Sequence, residues 1–174
     1  TNATVSAMAA GAISQIIQAA IDAGIAAAAI AETVAFVQTR SRPWIDSGKD
    51  TAAEDPFTIS AIGDLTLRLH AAEALLERAG RAIDRALADP AEEAVNAATL
   101  ATAEAKVLTT EVAISASNKL FELAGTRSTL AEHNLDRHWR NARVHTLHDP
   151  VDYKLRELGD WALNARLPQP SFYS

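Results

Sequence analysis

The stretch from Thr4 to Arg40 holds no proline, and only Asp22 and Glu32 are charged before its last residue. Ile13, Ile16, Ile17, Ile21, Ile25 and Ile30, then Val34 and Val37, recur along it at mixed three-, four- and five-residue steps. That spacing draws one continuous apolar stripe on a single long helix. Gly11 and Gly24 lower its propensity; among so many alanines they are expected to admit a close neighbour rather than to break the helix. Arg42-Pro43 ends it, since the residue before a proline is pushed out of helical geometry. A helix of this length must bury its stripe against other helices, so it commits the chain to a bundle.

The same stretch has the length of a membrane span. Asp22 and Glu32 interrupt it, and alanine carries most of its hydropathy, so spanning is not expected. It lacks the basic leader of a secretory signal. A chain that begins at Thr1 and is helical almost at once reads as a domain cut from a longer polypeptide.

Later segments repeat the helical pattern. Trp44 to Glu54 is a polar loop, after which Asp55-Pro56 supplies an N-cap and a first-turn proline. Ile59, Ile62, Leu65, Leu69, Ala72, Leu76, Ile83 and Leu87 mark the buried face of the second helix. Asp89-Pro90 repeats the start signal, with Glu92 and Glu93 complementing the dipole of a third helix. That helix runs through Val107, Leu108, Val112, Leu120 and Leu123 and stops at Gly125. A shorter helix over roughly 135–144 precedes a last one opened by Asp149-Pro150 and ending near Asn164. No alternating strand pattern interrupts this series. The expected fold is all-α: an antiparallel up-down bundle of three long helices and a shorter pair, in one domain of 174 residues.

Composition narrows the function classes. A net charge of -6 gives a nucleic-acid partner no global support. Arg127, Arg137, Arg140, Arg143, Lys154, Arg156 and Arg166 nevertheless make one end locally basic, which suits an anionic small ligand. The absence of cysteine excludes disulfides, thiolate metal sites and a cysteine nucleophile, and fits a cytoplasmic location.

Four of the five histidines, His133, His138, His145 and His148, crowd into one short segment. A metal site is disfavoured, because the Asp149-Pro150 restart separates the rings of His145 and His148 and no third ligand stands at usable spacing. For His133 and His138 the plain reading is a solvated helix end, with His138 beside a packed Trp139. For the junction at Pro150 a third reading is an anion site: a helix start offers free N–H groups, and a histidine there exchanges a proton near neutral pH.

The segment "FELAGTRSTLAEHNLDRHWRNARVHTLHDPVDYKLRELGDWALN" resembles the C-terminal helical domain of the acyl-CoA dehydrogenase superfamily. More narrowly, it is similar to the reduced-flavin monooxygenases of that fold, which include dibenzothiophene and sulfone desulfurisation oxygenases. Asp136-Arg137-x-x-Arg140-Asn141-x-Arg143 matches the dehydrogenases' "RxxRDAR" segment, and "LHDPVDYK" is typical of the monooxygenase branch. "TRSRPW" (39–44) and "DPFTISAIGDLTLRL" (55–69) extend the likeness over nearly the whole chain. It covers only part of such an enzyme, whose N-terminal helical domain and middle β-barrel have no counterpart here.

Departures from the dehydrogenase pattern carry meaning. Arg40 is kept, but Pro43-Trp44 replaces the Phe-Gly of the flavin-diphosphate motif. Gln-x-x-Gly-Gly appears as Phe121-x-x-Ala124-Gly125. Their erosion favours FMN over FAD, with FAD the other cofactor the family implies. Where dehydrogenases place a glutamate base after "RDAR", this chain has Thr146-Leu147-His148-Asp149, and no Glu stands early on the first long helix either.

The resemblance therefore implies a two-component monooxygenase. A separate reductase supplies reduced FMN, oxygen adds at flavin C4a, and the hydroperoxide passes oxygen to a small sulfur-containing or aromatic substrate. His148 is the implied catalytic group, His145 a supporting or substrate-side one, and Asp149 a helix cap. Arg40 or Arg42, with Gly125 and Arg127, is implied in gripping flavin phosphate across a subunit interface of a homotetramer. Solvated cations at a helix end are the alternative for the arginines. Two alternatives stand for the whole: an acyl-CoA dehydrogenase-type enzyme, or a non-catalytic helical oligomerisation module. The tail "LPQPSFYS" is too rich in proline for a helix, which leaves docking on a neighbour or a frayed end.

Overall fold

The computed structural model describes residues 2–168, with side chains described from Ala9 onward. Five helices make up the bundle: α1 (Asn2–Thr39), α2 (Pro56–Ala88), α3 (Glu92–Ala124), α4 (Asp136–Leu147) and α5 (Val151–Asn164). Three short 3₁₀ turns, Ala52–Glu54, Thr126–Thr129 and Ala131–His133, fill the connections. α3 is the central element, packing on α1, α2, α4 and α5. The all-α bundle expected from periodicity is the fold observed.

The expected stripe is only part of the buried face of α1: Ile30 and Val37 are buried, and Ile13, Ile16 and Ile25 pack against the core. Ile17 and Ile21 face outward at 54% and 43% exposure. Two further series turn inward: Ala12, Ala19, Ala26 and Thr33, and, three residues after each, Gln15, Asp22, Ala29 and Phe36. Each set repeats every seven residues, the period of helices packed side by side. Small side chains there let the backbones of α1 and α3 approach closely. Thr33 satisfies its buried hydroxyl on its own helix, donating to the Ala29 carbonyl at 2.7 Å. The helix passes both glycines unbroken: Gly11 is buried, but Gly24 is exposed with open space around it, so it serves no close packing.

From Ala9 to Thr39, α1 is long and apolar enough to cross a membrane. Both acids that interrupt it find partners inside the protein: Asp22 pairs with Lys106 of α3, and Glu32 with Arg137 and His138 of α4.

The three Asp-Pro steps behave differently. Asp55 caps α2 as expected, its Oδ1 accepting from the Phe57 and Thr58 amides at 2.8 and 3.1 Å. After Asp89-Pro90 the Ala91 amide folds back to the Asp89 carbonyl at 2.8 Å. That turn delays α3 to Glu92, with Ala91 as its uncapped N-cap residue. At Asp149-Pro150 the proline itself is the N-cap, so Asp149 caps nothing. Instead its side chain is buried, with Oδ2 at 4.0 Å from the equally buried Lys154 Nζ. On α2, Leu65, Leu69, Ala72 and Ile83 are buried as expected, whereas Ile59 and Leu87, near its two ends, are more than half exposed. Phe172 and Tyr173 of the tail lie outside the described residues.

Candidate functional site

The sequence-predicted residues separate into two places. Arg40, Arg42, Gly125 and Arg127 line one open cleft of about 1250 Å³ between the end of α1, the start of α2 and the end of α3. His145 and His148 are not among its lining residues; they sit together at the C-terminal end of α4.

The cleft exists because two helices stop beside each other. The Ser41 hydroxyl, just past α1, donates to the Ala124 carbonyl at 3.1 Å, tying the chain to the end of α3. Gly125 terminates α3 with φ 79° and ψ -177°, a conformation open to glycine almost alone. Its carbonyl then accepts from both the amide and the hydroxyl of Ser128, at 3.0 and 2.6 Å. A Cβ at Gly125 meets no atom within 4 Å, so the constraint is backbone strain and not space. Gly125→Ala is therefore expected to cost about 1–3 kcal/mol in a urea melt of the chain.

Positive charge lines the cleft. Arg42 and Arg127 are exposed, and neither guanidinium has a protein partner among the described residues. Arg40 is more committed. Its Nη1 lies 2.8 Å from His133 Nδ1, and its guanidinium stands over the Phe36 ring at 5.7 Å. With one nitrogen on an imidazole, the remaining N–H groups of its fork stay available to an anion.

The histidines are more built-in than solvated helix ends. His133 packs edge-on against Phe36, with ring centroids 5.2 Å apart. His138 is buried, with Nε2 3.2 Å from Glu32 Oε2, while Trp139 next to it is 41% exposed. The plain reading of both histidines gives way for one reason: α1 presents Glu32 and Phe36 to the segment that follows α3. Arg137 of the "RxxRDAR"-like segment also reaches Glu32. Partners ascend α1 (Asp22, Glu32, Arg40) as they descend α4 and its lead-in (His145, His138, His133), so the two run antiparallel.

His145 and His148 converge although a restart follows them. α4 continues to Leu147, and His148 keeps helical φ and ψ of -75° and -20°. Their ring centroids are 5.5 Å apart. His148 Nδ1 stands 2.6 Å from the His145 carbonyl, which only accepts, so Nδ1 carries the proton. The ring of His148 is exposed, leaving Nε2 open to a ligand.

Behind them lies a cluster the sequence reading missed. Asp22 Oδ1 is 2.6 Å from His145 Nδ1, and Oδ2 accepts from Lys106 Nζ at 2.8 Å and from the Thr110 hydroxyl at 3.1 Å. Asp22 and Lys106 are both fully buried. Two signals pointed there: Asp22 falls in a seven-residue seam whose other positions are uncharged, and Lys106 is the lone cation between Arg85 and Lys119.

Residues 16–153 match the family model of the acyl-CoA dehydrogenase C-terminal domain. Over 156 residues the chain is 44% identical to the probable FMNH2-dependent monooxygenase SfnC of Pseudomonas putida, covering 87% of this chain and 39% of that protein. The dibenzothiophene monooxygenase of Mycolicibacterium goodii is 35% identical over 168 residues, covering 94% and 40%. Methanesulfinate monooxygenase MsuC from Pseudomonas fluorescens superposes with a TM-score of 0.91 at 40% identity, over 94% of this chain and 43% of its own. TdsC from Paenibacillus sp. A11-2, solved with FMN and indole, gives 0.89 at 36% identity, over 94% and 42%. The chain thus spans about two fifths of the length of these relatives. It belongs to the acyl-CoA dehydrogenase C-terminal domain family and is homologous to its FMNH2-dependent monooxygenases.

Proposed function

We propose that this bundle is the C-terminal part of a longer, two-component monooxygenase that works on reduced FMN delivered by a separate reductase and assembles as a homotetramer. The observation that carries the reading is the state of the loop after α4. Its carboxylate, Asp149, is buried and turned to Lys154, while its histidine, His148, is exposed and backed by His145. Abstraction of a proton beside an acyl thioester needs an accessible carboxylate base at that loop. The residues there supply an imidazole instead. Asp22, the carboxylate of α1 that meets His145, is spoken for by Lys106, Thr110 and His145.

The residues present fit a flavin mononucleotide. Arg42 and Arg127, unpaired in a wide cleft, suit a terminal phosphate, with Arg40 adding the free part of its fork. Gly125 keeps the cleft wall free of a side chain. The phosphate would come from the flavin of a neighbouring subunit, since the cleft and the histidine pair belong to different parts of the bundle. When bound, reduced FMN supplies the electrons that activate dioxygen for transfer of one oxygen atom. His148 takes up and returns a proton at Nε2, its Nδ1–H fixed on the His145 carbonyl. The substrate is a small organosulfur or aromatic compound, in line with those named for the relatives.

The test is an isotope experiment on the complete enzyme with a flavin reductase, offering methanesulfinate, dibenzothiophene and indole as probes. Under ¹⁸O₂ one labelled atom is expected in the product, and none forms without oxygen. Oxidation of an acyl-CoA under anaerobic conditions, with no labelled product under ¹⁸O₂, would replace this reading with dehydrogenation.

A further inference from the structure

We propose that Asp22 is a positioning residue for the histidine pair: its carboxylate fixes His145 in the Nδ1–H tautomer and keeps His145 Nε2 as a hydrogen-bond acceptor beside His148. The functional half of this inference rests on the monooxygenase reading; the tautomer half does not.

The argument starts with donors and acceptors. An ionised carboxylate only accepts, and Asp22 faces three donors. Lys106 Nζ and the Thr110 hydroxyl occupy Oδ2, and His145 Nδ1 meets Oδ1 at 2.6 Å. Lys106 balances the charge of Asp22 in a place where both are fully buried, so a neutral imidazole completes the set. With the proton on Nδ1, Nε2 of that imidazole carries a lone pair. This is the arrangement in which a buried acid selects the tautomer of a working histidine.

Nε2 of His145 is buried and has no hydrogen-bond partner among the described residues, a state it shares with Nε2 of His133 and of His138. An unmade bond of that kind costs about 1–3 kcal/mol, but it is common to the three histidines and does not by itself single out His145. What sets His145 apart is the buried carboxylate on its Nδ1 together with the exposed ring of His148 beside it. The His145 ring as a whole is 20% exposed, and its neighbour 5.5 Å away is the exposed His148 ring.

The effect extends to His148 through the backbone. His148 Nδ1–H is held on the carbonyl of His145, so the contact that anchors residue 145 also sets the platform for the second ring. α4 is pinned on α1 again by Glu32, which takes Arg137 and His138. Asp22 is the anchor at the working end. One carboxylate on α1 thereby aligns two imidazoles on α4.

The experiment is histidine-selective ¹⁵N spectroscopy of the 174-residue chain, joined to kinetics of the complete enzyme. In the wild-type spectrum His145 is expected with Nδ1 protonated and Nε2 bare. A protonated Nε2, as the other tautomer or as the imidazolium, overturns the proposal without any variant having to fold. Asp22→Asn must keep its oxygen on Lys106 and Thr110, so its amide turns toward His145 and moves the proton to Nε2. In the complete enzyme this variant is expected to lower kcat for oxygen insertion about 100-fold, with KM changed less than about threefold. Asp22→Leu combined with Lys106→Met removes the pair as a unit, in case a lone Lys106 unfolds the single variant, and is expected to lose kcat similarly. Unchanged kcat in that folded double variant would reduce Asp22 to a structural role. Loss of the monooxygenase reading itself would appear elsewhere, as the failed isotope experiment, and would leave the tautomer result standing.

Discussion

On the proposed monooxygenase reading, His148→Ala in the complete enzyme is expected to lower oxygen insertion about 100-fold or more, while consumption of reduced FMN continues and its electrons leave as hydrogen peroxide. The size follows from what a positioned acid–base group contributes, and the direction from His148 being the exposed imidazole of the pair. Folding is a poor explanation for such a loss. The side chain is exposed, and its one described hydrogen bond goes to a carbonyl three residues back in its own helix. Substitutions of that kind stay within about 0.5 kcal/mol, so the thermal midpoint moves by roughly 1–2 °C. Product yield and hydrogen peroxide are measured against reduced FMN oxidised, with a melt of the same sample. Full coupling in the variant would make the histidine pair an end-of-helix feature and leave the proposed chemistry without its proton carrier.

The bundle was legible because helix length and helix ends are written locally. Asp55-Pro56 announced α2, and Gly125 announced the end of α3, through signals that need only adjacent residues. Identical dipeptides at 89 and 149 misled because a neighbour outcompeted the cap. The Ala91 amide folded back on the Asp89 carbonyl, and the Asp149 carboxylate is buried, 4.0 Å from Lys154, with the proline at the N-cap position. The clustering of His145 and His148 was visible as spacing. Their convergence was not, since it turned on α4 running on to Leu147.

What stayed hidden was the polar core. Hydropathy selected the isoleucines of α1 as the inward face, and Ile30 and Val37 are buried, yet the helix also turned an alanine-rich seam inward and left Ile17 and Ile21 outside. Alanine scores weakly in any apolar tally, and close helix approach rewards its size instead. Asp22 rides in that seam only because Lys106, Thr110 and His145 arrive from two other helices. A charge at such a position is costly alone and tolerable when paired, and the pairing is tertiary information. Glu32 hides His138 in the same way.

Lys106→Met tests how dry that core is. Lys106 and Asp22 are fully buried, so removing the cation strands a carboxylate with only His145 and Thr110 as donors. Breaking a buried pair from one side costs about 3–5 kcal/mol, a large share of the roughly 5–15 kcal/mol that holds a domain folded. A urea or thermal melt of the chain should show it, with the midpoint falling by roughly 10 °C or more. Adding Asp22→Leu should return most of the loss, because two apolar side chains of similar volume replace two charges that had both been stripped of water. That recovery separates the two roles of the cluster. The double variant regains stability while His145 loses the acceptor that chose its tautomer, so a stable protein with impaired oxygen insertion is the expected pair of results. A single-variant cost below about 1 kcal/mol would mean that water reaches Asp22. The carboxylate would then have less hold on the imidazole beside it, and the case for Asp22 as the anchor of the histidine pair would weaken at its physical root.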